Sequence, residues 1–566
     1  MLPYINKPFE WLSGVVGASP DELKLIFSFL LSYPLAGLLK RVPDARPQYK
    51  NLFIISGGLF YLVGLFSLWA GVRTLFISSA VTYALAYYLP TSAYMPWIAF
   101  IFLMGHMAVS QLNRQFADNP SSVDITGAQM VLVMKLSAFA WNVFDGTLPE
   151  DQLSDFQKSR RILKLPGLLD YAGYVLFFPS LMAGPAFDYN EYRGWIDCSM
   201  FDVPATIDPA KKPPTRKKRK IPRSGTPAMM KLASGVIWIW AFLNLSKYYS
   251  HEVLLDDTYM NFGFLRRVLI MHMVGFTARC KYYGVWFMAE GSCILAGLGY
   301  NGVDPVTGKV YWNRLQNINP WGVETAQNSR AYLENWNMNT NKWLRYYIYL
   351  RVTPRNRKPG FRASLATFVT SAFWHGFYPG YYLSFILASF VQQAAKHYRR
   401  NIRPFFLDPV TQKPLPSKKY YDFASWLATQ TTFSFVVTPF VILRLDQSLL
   451  AWSRVYFYAI VTTGASMAFF ASPAKKQLRQ MLEQRTREAG VKMVRSASTD
   501  SLTGRAQEPV LGLSADPARD IDEAIRELRE EVEKARAEGK DKVKIAGVAG
   551  VVGKESNGKV EGKKEL

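Results

Sequence analysis

Apolar runs long enough to cross a lipid bilayer recur from about residue 23 to residue 471. Roughly 20 predominantly apolar residues span the hydrocarbon core as a helix, and Leu52–Ala70, Leu75–Leu89, Trp97–Met107 and Val436–Leu443 are long or apolar enough to belong to such spans. The chain therefore reads as an all-α, polytopic integral membrane protein. Aromatic residues make up 15% of it, a share that suits a membrane body better than a soluble core. The formal net charge of +24 raises the question of nucleic acid. The basic residues, however, lie in short loops between spans and in the C-terminal tail, as the positive-inside rule expects, so no nucleic-acid partner is read from them. Cys198, Cys280 and Cys293 form neither a disulfide framework nor a metal-ligand spacing. No basic stretch followed by a short apolar core opens the chain, so the first span is expected to act as its own signal.

Three regions follow. Residues 1–22 read as an interfacial segment, with Phe9, Trp11 and Leu12 beside Lys7. Residues 23–471 form the membrane-embedded body, with spans near 23–39, 52–72, 74–90, 94–111, 231–249, 263–278, 284–300, 381–395, 423–445 and 450–471. Residues 129–144 are apolar but carry Lys135 and Asn142, which predicts a partly buried or amphipathic helix. Tyr171–Tyr189 is broken by Pro179-Ser180 and Gly184-Pro185, so it is either a kinked helix or a descent that turns back; irregular backbone at that depth must be buried in protein or line a cavity. The loop 204–223, with its core Arg216-Lys217-Lys218-Arg219-Lys220, is expected to be disordered and cytosolic, and attraction to anionic headgroups is a second reading. Residues 472–566 form a charged cytosolic tail, mostly disordered. Within it Ile521, Ile525, Leu528, Val532 and Ala535 predict one short amphipathic helix near 519–538, which offers a face to a partner or a surface. Lys563 and Lys564 resemble the dilysine signal that returns membrane proteins to the endoplasmic reticulum, read from the cytosol.

Titratable and polar residues inside a membrane mark function by default. Two stretches concentrate them. The first is Ser371-Ala372-Phe373-Trp374-His375-Gly376, where one of only five histidines sits in an apolar, aromatic run followed by a Pro379-Gly380 turn. The apolar residues 363–374 would make roughly 18 Å of helix, which places His375 at depth. The second is Glu334–Leu344. On a helix Asn337, Thr340, Asn341 and Leu344 would share one face, with Trp336 and Trp343 beside it. A neutral imidazole can act as a general base toward a hydroxyl, and a carboxamide can donate to a developing oxyanion. Together they suit acyl transfer from a thioester to an alcohol. The bland readings are a satisfied core histidine and ordinary interhelical hydrogen bonding, and broken helices with buried polar groups also build transporters. His251 and Asp256 have the His-x4-Asp spacing of another acyltransferase class, without the residues that usually accompany it, and this match reads as chance.

The separated blocks resemble the membrane-bound O-acyltransferases, and within them the lysophospholipid acyltransferases, closest to the broad-specificity fungal enzymes. Trp336-Asn337 with Thr340 and Trp343-Leu344 resembles the family's Trp-Asn/Asp motif; Ser371–Gly376 with Pro379-Gly380-Tyr381 resembles its Trp-His-Gly and Pro-Gly-Tyr blocks. Arg279-Cys280-Lys281-Tyr282-Tyr283-Gly284-Val285-Trp286 and Pro179-Ser180 with Gly184-Pro185 resemble two more. The resemblance implies about ten to twelve transmembrane or re-entrant helices around a buried catalytic chamber. It implies acyl transfer from acyl-CoA, a co-substrate with no bound cofactor or metal beside it, to the free hydroxyl of a lysophospholipid. By it His375 is the catalytic His and Asn337 the second catalytic residue. Trp336, Thr340, Asn341, Trp374, Lys281 and Tyr282 would form the site or lysolipid pocket, and Pro179 and Ser180 would border the acyl-CoA route. Acylation of a protein or peptide remains the alternative within the family.

Overall fold

In the computed structural model, residues 3–489 are described apart from 17, 118–121, 204–206, 209–210, 217–218 and 354–360. Among the described residues every named element is helical, and the extended backbone amounts to three isolated bridges.

The N-terminal helix α1 (Pro3–Val16) packs on α2 (Pro20–Leu39), with the Phe9 and Phe27 rings 5.4 Å apart. Ser19 starts α2 in a reciprocal cap with Glu22. Helix α3 (Pro47–Leu59) continues into a π-helical turn, Phe60–Leu65, before α4 (Trp69–Tyr88) and α5 (Met95–Gln115). Helices α2, α4 and α5 overlie the expected spans 23–39, 74–90 and 94–111, whereas the expected 52–72 ends at Leu65 and its last residues open α4.

Helix α6 (Thr126–Gly146) is buried along nearly its whole length, more fully than the amphipathic reading anticipated. Its Lys135 is buried because the ammonium finds the Tyr174 carbonyl and lies over the Tyr174 and Phe187 rings, 4.4 and 4.3 Å from their centroids. After the short α7 (Asp155–Arg160), the broken run near Pro179 forms α8 (Leu168–Val175), a 3-10 turn at Phe178–Ser180 and α9 (Tyr189–Ile196). The run stops at Val175 and does not kink. The turn is buried against α2, α3 and the long helix described next, as irregular backbone at this depth requires.

Two expected spans, 263–278 and 284–300, are one 33-residue helix, α11 (Phe264–Ala296), packed along α10 (Gly225–Leu245). The polar Arg279-Cys280-Lys281 stretch looked like a loop. The helix runs through it because Arg279 finds a buried partner and because Gly284 lies against Gly235. A Cβ on either glycine would meet the other's carbonyl oxygen at 3.0 Å, so the two backbones approach as only small residues allow. Gly297, at φ 105°, ends α11 in the left-handed region.

Three short helices, α12 (Pro320–Glu324), α13 (Ser329–Glu334) and α14 (Met338–Leu344), precede α15 (Phe361–His375) and α16 (Pro379–Asn401). Then come α17 (Lys418–Ile442), α18 (Leu445–Ser453), α19 (Tyr458–Ala471) and α20 (Ala474–Glu488). The last expected span is therefore divided between α18 and α19, and the tail begins with a helix. The predicted helix at 519–538 lies outside the described residues.

Four of the helices, α2, α5, α6 and α10, are long and apolar enough to cross a membrane by length and composition alone. The buried side chains separate into two large clusters. One gathers α3–α6, α8, α9, Trp343 and Trp374; the other gathers residues from α11–α13 and α16–α19. The chain passes between them several times, including within α11 and between Leu315 and Ile318, and two of these crossings are the stretches singled out above.

Candidate active site

The first crossing is at Asn337. Trp336 belongs to the second cluster, wedged among Tyr282, Tyr283 and Trp286 with ring centroids 5.7, 5.9 and 5.1 Å away. Trp343 and Leu344 belong to the first. Between them Asn337 takes φ 44° and ψ 55°, the left-handed region that Asn tolerates better than most residues. It caps α14 and is not inside it. This corrects the expected helical face: Thr340, Asn341 and Leu344 are helical, and Asn337 stands off the N-terminus.

The neighbouring asparagines hold that turn in place. The Asn319 N–H donates to the Asn335 carbonyl at 3.0 Å, and the Asn319 side-chain amide donates to the Asn335 side-chain oxygen at 2.9 Å. The Met338 N–H donates to the Asn317 carbonyl at 2.8 Å, and the Asn339 N–H to the Asn317 side chain at 3.1 Å. Asn341 donates to the carbonyls of Leu333 and Trp336 at 2.8 and 2.9 Å, so its carboxamide is structural. Among the described residues the half-buried Asn337 side chain forms no hydrogen bond, which leaves its carboxamide available.

Beneath Trp336 lies a group that sequence reasoning missed. Glu324, the last residue of α12, accepts two bonds of 2.8 Å from the Arg279 guanidinium and one of 2.6 Å from the Tyr283 hydroxyl. Trp426 and Gln430 of α17 donate to the carbonyls of Glu324 and Val323, both at 2.8 Å. A polar carboxylate in a loop of ordinary composition gave no sign of this in the sequence.

The second crossing is at His375. It ends α15, and Gly376 turns the chain away at φ 123°. The imidazole is boxed by Trp374, Tyr381, Phe385 and Phe440, with centroids 4.7, 5.6, 5.1 and 5.0 Å away. Among the described residues neither ring nitrogen has a hydrogen-bond partner. Pro379 opens α16 at a position where its missing N–H costs nothing. The Gly380 N–H donates to the Leu443 carbonyl at 2.9 Å, and a Cβ there would fall 2.0 Å from the Pro439 carbonyl oxygen. The start of α16 is thereby pinned to the end of α17.

Both crossings are anchored to one face of α6. The Trp374 indole donates to the Met130 carbonyl at 3.1 Å, Thr340 to the Met134 sulfur at 3.4 Å, and the Trp343 indole to Ser137 at 2.9 Å. Positions 130, 134 and 137 follow one another up a single helix face. The Trp343 and Trp374 rings lie 6.1 Å apart, and Gln111 of α5 donates to the Trp374 carbonyl at 2.7 Å.

The remaining expected residues divide. Tyr282 is 38% exposed and faces Trp336, so it flanks the site. Its neighbour Lys281 points elsewhere, 3.4 Å from Glu22 and over the Phe242 ring at 5.4 Å. Pro179 and Ser180 are buried beside α11, where Ser292 reaches the Pro179 carbonyl at 3.4 Å. The structure does not bring these three together with His375. His251 is half-exposed beside Glu252, at 3.6 Å, with no part in either crossing.

The chain matches the family model of the membrane-bound O-acyltransferases over residues 116–438. A Schizosaccharomyces pombe lysophospholipid acyltransferase is 42% identical over 503 residues, covering 88% of this chain and 96% of that one. A Saccharomyces cerevisiae lysophospholipid acyltransferase is 43% identical over 477 residues, covering 83% and 77%. The human membrane-bound glycerophospholipid O-acyltransferase 1 is 30% identical over 425 residues, covering 73% and 80%. A polytopic helical chain with these two anchored crossings and these relatives belongs to the membrane-bound O-acyltransferase family.

Proposed function

We propose that the chain transfers a fatty acyl group from acyl-CoA to the free hydroxyl of a lysophospholipid, with His375 as general base and Asn337 as positioning or oxyanion residue. The observation that carries this reading is that the two segments bearing His375 and Asn337 cross the same seam and hang from one face of α6. The named activity of the yeast relatives supports the substrate class.

The chemistry needs no enzyme nucleophile. A neutral imidazole takes the hydroxyl proton as the oxygen attacks the thioester carbonyl. The negative charge that gathers on the carbonyl oxygen is met by the Asn337 amide N–H. Collapse breaks the carbon–sulfur bond, and the leaving thiolate, whose conjugate thiol has a pKa near about 8.5, recovers the proton from the imidazolium. The aromatic walls of Trp374, Tyr381, Phe385 and Phe440 keep water from competing for the thioester. We place the enzyme in the endoplasmic reticulum membrane with its C-terminus in the cytosol, on the Lys563-Lys564 signal and the basic loops.

The test is acyl transfer in microsomes from labelled oleoyl-CoA to a panel of lysophospholipids, comparing the native chain with His375→Ala and Asn337→Ala. The native chain is expected to acylate at least one lysolipid and both variants to lose that activity at normal expression. Full activity in His375→Ala would sink the mechanism, and no acylated lysolipid with the native chain would sink the substrate.

A further inference from the structure

The basic loop before α10 was expected to be disordered. Its described part is tied to the turn after α2 instead. The Arg219 guanidinium donates to the Arg41 carbonyl at 2.7 Å, and the Lys220 N–H donates to the Asp44 carboxylate at 2.9 Å. Thr215 and Pro222 pair antiparallel, with the Arg223 N–H on the Pro214 carbonyl at 2.8 Å. Lys40, at the end of α2, reaches the Pro222 carbonyl and, at 2.8 Å, the Ser224 hydroxyl.

Between the two loops lies an open groove of about 620 Å³ lined by Pro43, Asp44, Ala45, Thr215, Arg216, Arg219 and Lys220. A volume of this order holds a small charged group with room to spare. Three of the lining side chains are cations and one is an anion, and that anion is already engaged. Asp44 is 3.0 Å from the buried Lys50 ammonium and holds the Lys220 N–H. Burial alone would push its carboxyl up, but the Lys220 N–H and Lys50 hold it below the ordinary carboxylate value. Lys220 meets only Asp202, 3.2 Å away, in a pair whose side chains are 59% and 65% exposed, so water and salt screen it. Arg216 has no side-chain hydrogen bond or ion pair among the described residues. Arg219 spends one N–H on Arg41 and has others to offer. The excess positive charge is felt below the groove: Lys40 is lowered to about 8, by burial first and then by the Arg216 charge.

Disorder would let such a loop spread its cations apart. Here backbone bonds hold them around one opening at the turn after α2, and among the described residues the acidic groups beside them are the exposed Asp202, paired with Lys220, and the already engaged Asp44. We propose that this groove is a phosphate-binding site, built by Arg216, Arg219 and Lys220, for an anionic phosphate group carried either by a lipid headgroup of the adjoining leaflet or by a soluble molecule. It lies outside both crossings, so its ligand is separate from the reacting hydroxyl.

The experiment uses the full chain in zwitterionic micelles, titrated with inorganic pyrophosphate and, separately, with short-chain phosphatidate. Dissociation constants are compared for the native chain, Arg216→Gln, Lys220→Gln and Arg216→Lys. Arg216 is exposed and holds nothing, so its replacement leaves the loop anchored. Each neutralised cation is expected to weaken binding about fivefold, from the contribution of one Lys or Arg near an anionic surface, and Arg216→Lys is expected to restore it. Tighter binding of phosphatidate than of pyrophosphate, weakened in Arg216→Gln, assigns the site to a lipid headgroup; the reverse order assigns it to a soluble phosphate. Dissociation constants unchanged in Arg216→Gln and Lys220→Gln for both probes, or no binding of either probe, would overturn the proposal.

Discussion

Asn337 combines two properties that a substitution can separate: a backbone in the left-handed region, and a carboxamide without a hydrogen bond among the described residues. Glycine adopts that conformation without a Cβ penalty. Asn337→Gly is therefore expected to keep or slightly raise the thermal unfolding midpoint while kcat falls about a hundredfold to a thousandfold, the cost of losing one oxyanion donor. A fall in stability that matches the fall in rate would reduce Asn337 to a structural role. His375→Ala should lower the rate about a hundredfold to ten-thousandfold, as loss of a general base does, and should also lower the unfolding midpoint, because the missing ring leaves a cavity in its aromatic box. The sequence made His375 conspicuous, since an imidazole without a charged neighbour stands out in an apolar run. The geometry of Asn337 was hidden from it. Periodicity assumes that a helix passes through the position, whereas the turn is imposed by Asn317 and Asn319, which lie in a separate loop.

Helix α11 shows the same limit at the scale of an element. Read along the chain, Arg279 and Lys281 interrupt an apolar pattern and look like the boundary between two spans. In the fold Arg279 is only 2% exposed and meets Glu324 of α12 in a two-bond pair, so the helix continues. Because α12 begins at the Asn319 cap that grips Asn335, this pair also fixes the segment leading to Asn337. Glu324→Gln leaves the buried guanidinium without its counter-charge, and breaking a buried pair in this way costs about 3–5 kcal/mol. The expected outcome is a clear drop in the unfolding midpoint of the solubilised protein, with acyl transfer reduced in the surviving fraction. At the other crossing, Gly380→Ala should destabilise by about 1–3 kcal/mol, as an overpacked contact does. Its new methyl group would press on the Pro439 carbonyl, beside the Gly380 N–H to Leu443 carbonyl bond that joins α16 to α17. An unchanged midpoint for Gly380→Ala would mean that the two helices are free to part there.

Over the whole molecule, the apolar runs that became α2, α4, α5, α10 and α17 were legible in order because bilayer thickness imposes a length on each. Two expected spans, however, are the single α11, and the last is divided between α18 and α19. The seam between the two buried clusters was not legible, since it depends on which faces meet. The tail illustrates the difference. Its composition is charged from Ser472 onward, and nothing in its periodicity singled out α20. Yet Arg485 of α20 donates to the carbonyls of Pro404, Phe405 and Leu407, at 3.1, 2.8 and 3.0 Å, so this helix closes the loop that joins α16 to α17. The family match ends at residue 438, well before it. Truncation after Ala489 keeps those bonds and is expected to leave acyl transfer and the unfolding midpoint unchanged. Truncation after Ser472 removes the Arg485 bonds from three carbonyls just beyond α16, of which Pro404 keeps the Leu407 N–H, and α16 is the helix whose other end carries Gly380 beside the His375 turn. Net hydrogen bonds to a charged donor contribute about 1.5–3 kcal/mol each where water does not replace them. At this half-exposed loop water recovers part of that, so the expected result is a lower midpoint with activity retained at low temperature. Arg485→Ala in the full chain should reproduce the shift, and if it does not, the stabilising contact of α20 lies elsewhere on its surface.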